Sequence, residues 1–107
     1  MIPSVTAPEV PQHAHLLDVR EQDEWDAGHA PGAQHLPMYE LPARLAEIPR
    51  DRDVVVVCRS GMRSAQVVQF LLGQGWASVR NLDGGMHSWV AAGRPLVTDS
   101  PAPAVVL

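Results

Sequence analysis

Cys58 is the only cysteine of the chain, and it stands between four successive valines, Val54 to Val57, and a short segment, RSGMR (59–63), that carries two arginines around a glycine. A thiol reacts as its thiolate, and the ordinary pKa of about 8.5 falls when backbone N–H groups, a helix N-terminus or cations face the sulfur. Gly61 can take a positive φ, which lets successive N–H groups of the loop turn into one concavity. The positive end of a following helix, with Arg59 and Arg63 nearby, adds to the same field. The expected product is a thiolate at neutral pH, able to attack sulfur, phosphorus, arsenic or carbon in covalent catalysis.

Loop length separates these targets. Cysteine-based phosphatases share a strand, loop and helix arrangement but place five residues between cysteine and arginine, in a ring wide enough for a tetrahedral phosphate. Here four residues, 59–62, separate Cys58 from Arg63. The narrower ring suits one additional sulfur atom.

The elements that must position this loop are legible as alternating strands and helices. DVVVVC (53–58) is apolar and β-branched at successive positions, which requires cover on both faces and marks the centre of a parallel sheet. HLLDV (15–19), GAQHLP (32–37) and SVRNL (78–82) are further strand candidates. EQDEWDAG (21–28) predicts a short acidic helix stopped by Gly28. LPARLAEI (41–48) predicts another, with Pro42 at a first helical position and Leu41, Leu45 and Ile48 on one face. In SAQVVQFLLGQG (64–75), Ser64, Val68, Leu71 and Leu72 form a stripe before Gly75. GMHSWVAAG (85–93) predicts a helix with Met86, Trp89 and Val90 inward. The pattern implies an α/β fold, an open and mostly parallel sheet of about five strands with helices on both faces. The carboxyl end of a central parallel strand is where such sheets hold ligands, and Cys58 falls there.

Composition bounds the rest. At 107 residues the chain is expected to form one domain over 1–107, with a core at about 14–96. Pro3, Pro8, Pro11, Pro95, Pro101 and Pro103 lie near the ends, which predicts extended or loosely packed termini. A net charge of −4 argues against nucleic acid as a partner, since phosphate binding needs clustered Lys and Arg. A single cysteine excludes an intramolecular disulfide and a thiolate-rich zinc site. The N-terminus lacks a secretory pattern and no run approaches the roughly 18 apolar residues of a membrane span, so a soluble, cytoplasmic protein without membrane contact is expected.

LLDVRE (16–21), EWDAGHAPGAQHLP (24–37), VVVVCRSGMRSAQVVQFLLGQGW (54–76) and VRNLDGGMHSWVAAGRPL (79–96) together resemble the successive signatures of a single-domain rhodanese, a sulfurtransferase. The likeness spans roughly residues 14–96, and Cys-Arg-Ser-Gly-x-Arg-Ser after an apolar strand is its most specific part. The resemblance implies a rhodanese-like fold and a two-step transfer without cofactor or metal. Cys58 would take the outer sulfur of an anionic donor such as thiosulfate, hold it as a persulfide, and pass it to cyanide, a thiol or a protein acceptor. By family position the N–H groups of Arg59, Ser60, Gly61, Met62, Arg63 and Ser64 form the cradle. Arg59 and Arg63 either attract the donor or brace the loop, and the Ser64 hydroxyl can donate to the sulfur. Two features depart from the family pattern: Met62 makes the rim bulkier and more apolar, and the first helix is shortened or missing.

Other candidate residues carry plainer expectations. Asp18 is a supporting residue, a structural corner rather than a partner that steers the loop by pairing with an arginine. His29 pins a turn rather than acting as a base, and His13, His15, His35 and His87 lack ligand spacing. Trp25, Trp76 and Trp89 are expected in the core. Two other functions stay open beside sulfur transfer: a non-enzymatic sulfur carrier or protein-interaction module, and phosphatase or arsenate reductase chemistry.

Overall fold

The computed structural model describes residues 2–107. Its centre is strand β4, Val54–Val57, in which all four valines are at most 1 % exposed. A strand buried on both faces needs neighbours on both edges. β2 (His15–Asp18) supplies one and β5 (Val79–Leu82) the other, while β3 (Gln34–His35) and β1 (Ser4–Val5) close the edges in the order β1-β5-β4-β2-β3. Every pairing is parallel, so all five strands deliver their carboxyl ends to one side.

Successive side chains of β4 point to opposite faces and seed two cores. Val54, Val56 and Cys58 pack with Leu17, Leu36 and Leu41 and with Val67, Val68 and Leu71 of α2 (Met62–Gly73). Val55 and Val57 pack on the other face with Leu16, Leu82 and with Met86 and Trp89 of α3 (Gly85–Ala91). Burial of each valine contributes about 1.5–3 kcal/mol. A third helix, α1 (Gln22–Ala27), buries no residue and is held by a capping box in which Glu21 and Glu24 each accept the other's N–H.

Four expectations need correction. The segment 41–48 is not an α-helix but two tight 3-10 turns, Met38–Ala43 and Leu45–Glu47. The first begins at Met38, which puts Pro42 inside it, where its missing N–H breaks the α pattern, and Pro49 forces Ile48 into extended backbone. Leu41 and Ile48 still reach the core. The N-terminus is not loose: Ser4–Val5 is the fifth strand and Ala7–Glu9 forms one 3-10 turn in place of a first helix, whereas residues 97–107 belong to no helix or strand and are mostly exposed, with the Val105 N–H donating to the Ala27 carbonyl at 2.9 Å. Val90 is exposed, and α3 buries Gly85, Met86 and Trp89 instead. Trp25 is half-buried outside both cores, stacked between His29 and His35 with ring centroids 3.7 and 4.7 Å away. No described helix is long and apolar enough to cross a membrane.

Candidate active site

Cys58 follows directly on β4 and is fully buried at its carboxyl end. Beyond it the chain must reverse into α2 within a few residues. Gly61 makes the reversal with φ 102°, a region closed to most side chains, and serves as the helix N-cap without offering a side-chain acceptor. The orphan N–H groups of the first helical turn therefore need another partner.

The Cys58 sulfur is that partner. Its Sγ accepts from the Gly61 N–H at 3.1 Å, from the Ser64 N–H at 3.3 Å, and lies 3.2 Å from the Ser64 hydroxyl oxygen. Burial pushes the thiol pKa up, but the Ser64 hydroxyl and the N–H groups of Ser64, Gly61 and Ser60 outweigh it. The thiol is left below its ordinary range.

The outer wall of the loop is fixed by α3. The Met86 N–H donates to the Cys58 carbonyl at 2.8 Å and the His87 N–H to the Arg59 carbonyl at 3.2 Å. With these carbonyls held by α3, the N–H groups of Gly61 and Ser64 face the sulfur, while among the described residues those of Arg59, Met62 and Arg63 make no hydrogen bond to it. Gly85 makes the approach possible: a Cβ there would lie 2.4 Å from the Cys58 carbonyl oxygen.

The two loop arginines part company. Arg63 makes a bidentate pair with Glu24 of α1, Nη1 to Oε1 at 2.8 Å and Nη2 to Oε2 at 2.9 Å. That pair holds the Glu24 carboxyl at a pKa of about 2. Arg59 is exposed beside Ser60, and among the described residues it has no ion-pair partner. Met62 is 77 % exposed at the rim. Asp18 stands apart from the loop arginines: it is fully buried with Arg20, whose Nη2 donates to its Oδ2 at 2.8 Å and to the Gly28 carbonyl at 2.8 Å. The pair pins the corner after β2, as a structural role for Asp18 requires. His29 also holds a turn, its Nδ1 2.9 Å from the Trp25 carbonyl oxygen.

Three contributors are not evident from local sequence. Asn81 of β5 bonds both Ser64 and Gly61, Glu24 reaches the loop across 39 positions of sequence, and Gly85 clears space for the loop backbone. All three lie within the family-like stretches 24–37 and 79–96, and the glycine pair in NLDGG (81–85) is the one local signal among them.

A buried sulfur at the end of a central parallel strand, accepting from N–H groups at the start of the following helix, defines an α/β protein with a cysteine in a setting that favours an anion. Residues 7–92 match the family model of the rhodanese-like domain, and the chain belongs to the rhodanese family. It is 48 % identical over 82 residues to a sulfurtransferase of Allochromatium vinosum, covering 77 % of each chain. A putative sulfurtransferase of Bacillus subtilis, YtwF, is 38 % identical over 87 residues, which are 81 % of this chain and 84 % of the relative. The fold superposes on the crystal structure of a rhodanese-related protein from Thermoplasma volcanium with a TM-score of 0.85 at 31 % identity, covering 91 % of this chain and 99 % of the other.

Proposed function

We propose that this protein is a sulfurtransferase that carries a sulfane sulfur on Cys58, from an anionic donor such as thiosulfate to cyanide or a thiol. The observation that carries the reading is the convergence of the Gly61 N–H, the Ser64 N–H and the Ser64 hydroxyl on one buried sulfur. These donors favour the anionic form of that sulfur over the neutral one. In the first step the thiolate attacks the outer sulfur of thiosulfate, a new S–S bond forms, the donor S–S bond breaks, and sulfite leaves with the electron pair. In the second step cyanide attacks the outer sulfur of the persulfide, thiocyanate leaves, and the thiolate returns. Both Cys58 states are anions, so one cradle serves both.

Arg59 is the residue assigned to draw in the donor, because its guanidinium is exposed at the loop and lacks a carboxylate partner among the described residues. Arg63 braces the loop through Glu24. This arrangement weighs against phosphatase chemistry, in which the second arginine must be free to grip a phosphate. Steady-state thiocyanate formation from thiosulfate and cyanide, lost in Cys58→Ala, is the expected result. Hydrolysis of an aryl phosphate without thiocyanate formation would favour the phosphatase reading. Persulfide loading without turnover on any small acceptor would favour a carrier that hands sulfur to a protein.

A further inference from the structure

The Ser64 hydroxyl has one hydrogen and two acceptors within reach. Its oxygen lies 3.2 Å from Cys58 Sγ and 2.5 Å from Asn81 Oδ1. The amide orientation of Asn81 is fixed from its other side, because Nδ2 donates to the Gly61 carbonyl at 3.1 Å. A carbonyl can only accept, so the Asn81 oxygen must be the atom that faces Ser64. Two oxygens at that separation require a hydrogen between them, and only the hydroxyl can supply it. All three residues are buried, with Cys58 and Ser64 fully so and Asn81 8 % exposed, so water does not readily replace a missing partner.

We propose that Asn81 is a positioning residue for Cys58: its amide oxygen holds the Ser64 hydrogen while the sulfur is a neutral thiol and releases it to the sulfur when the sulfur becomes an anion. In the neutral state the thiol hydrogen points to Ser64 Oγ and the hydroxyl hydrogen to Asn81. On ionisation the thiol proton leaves to water, and the hydroxyl turns toward Sγ without its O–H bond breaking, the Ser64 and Asn81 oxygens moving apart as the hydrogen between them is withdrawn. Asn81 thereby competes with the sulfur for a donor and limits how far the cradle favours the anion. The inference rests on Cys58 being the reacting sulfur of the proposed transfer. The charged or titratable side chains beside the loop are Arg59, Arg63 with Glu24 and Glu21, Asp83 just before α3 and His87 within it. Among the described residues none of them makes a hydrogen bond to Sγ.

The test is the pH dependence of Cys58 alkylation by iodoacetamide in the full chain, which needs no sulfur donor. Asn81→Val suits a strand and removes the competing acceptor. The alkylation midpoint should move down by about 1 pH unit, the scale of one hydrogen bond to an anion. Ser64→Ala should move it up, and adding Asn81→Val to Ser64→Ala should then change nothing further. Asn81→Asp keeps an acceptor on the hydroxyl and adds charge, and should move the midpoint up; Asn81→Ala replaces the valine variant if that one fails to fold. A downward shift that persists without the Ser64 hydroxyl, or an upward shift in Asn81→Val, would overturn the proposal and reduce Asn81 to a prop for the Gly61 carbonyl. The same pattern of midpoints in a protein that never loads sulfur would uphold the Asn81 assignment and remove the transfer reading alone.

Discussion

Arg63 and Glu24 face each other through two parallel hydrogen bonds, joining the first turn of α2 to the first turn of α1 across the mouth of the cysteine loop. The carboxylate is only 12 % exposed and the guanidinium 37 %, so the pair is partly shielded from solvent. Arg63 is thus a brace, and its charge is balanced before any substrate arrives.

Glu24→Gln should cost about 1 kcal/mol of stability after allowing for solvent screening at the exposed side of Arg63. The Glu24 carboxyl is held at about 2, below its ordinary 4.5. A carboxyl with a depressed folded-state pKa gives stability that is complete above the unfolded value and lost as pH falls toward the folded one. Urea midpoints compared between the two proteins should therefore differ at pH 7 and converge between about pH 4.5 and pH 2. A difference that stayed constant down to pH 2 would contradict the brace.

Gly85→Ala should damage the site from outside it. The added Cβ would lie 2.4 Å from the Cys58 carbonyl oxygen, and φ at this residue is +61°. A left-handed backbone at a non-glycine residue costs on the order of 1 kcal/mol, and relief of the contact must push α3 off the loop. A lower melting temperature together with slower alkylation of Cys58 is the expected outcome; wild-type alkylation in a destabilised protein would separate α3 from the loop's geometry.

Arg59→Gln should leave the fold intact and weaken capture of the donor. An exposed cation acts through a field that salt screens over about 10 Å at 0.1 M ionic strength. With thiosulfate as the varied substrate, the half-saturation concentration should rise several-fold at low salt with kcat little changed, and the salt dependence should flatten. An equal fall in kcat would mean that Arg59 acts on the transfer itself.

The thiol also links pH to stability. Its folded-state pKa is below the ordinary value, so Cys58 contributes stability above the unfolded thiol pKa of about 8.5 and loses it as pH falls through the lower folded value. Wild type should gain on Cys58→Ala as pH rises from 6 toward 9, read as the difference in urea midpoints. A constant difference would show that the cradle does not favour the anion.

Much of this site was legible in the chain because its signals are local. Four β-branched residues before a cysteine mark a central strand, and a glycine between two arginines marks the turn that follows. The parallel sheet follows from strands separated by helices. What escaped was long-range or too short to have a period. Ser4–Val5 is a two-residue strand among prolines and pairs only because β5 offers a free edge. Leu41, Leu45 and Ile48 keep helical spacing and so predict a helix over 41–48, although Pro42 interrupts the bonding and two 3-10 turns stand there. Asn81 is one polar residue on a strand, and only the fold brings it to Ser64, 17 positions away. The assignment of Trp25 to the core failed because indole also stacks on imidazole at a half-exposed surface.

The most direct measurement is the mass of the Cys58 peptide after the reduced protein meets one equivalent of thiosulfate, with released sulfite counted in the same sample. One sulfur added to Cys58 for each sulfite released, removed again by cyanide and absent in Cys58→Ser, is the expected result. Sulfite released without sulfur on Cys58, or equal loading of Cys58→Ser, would contradict the account.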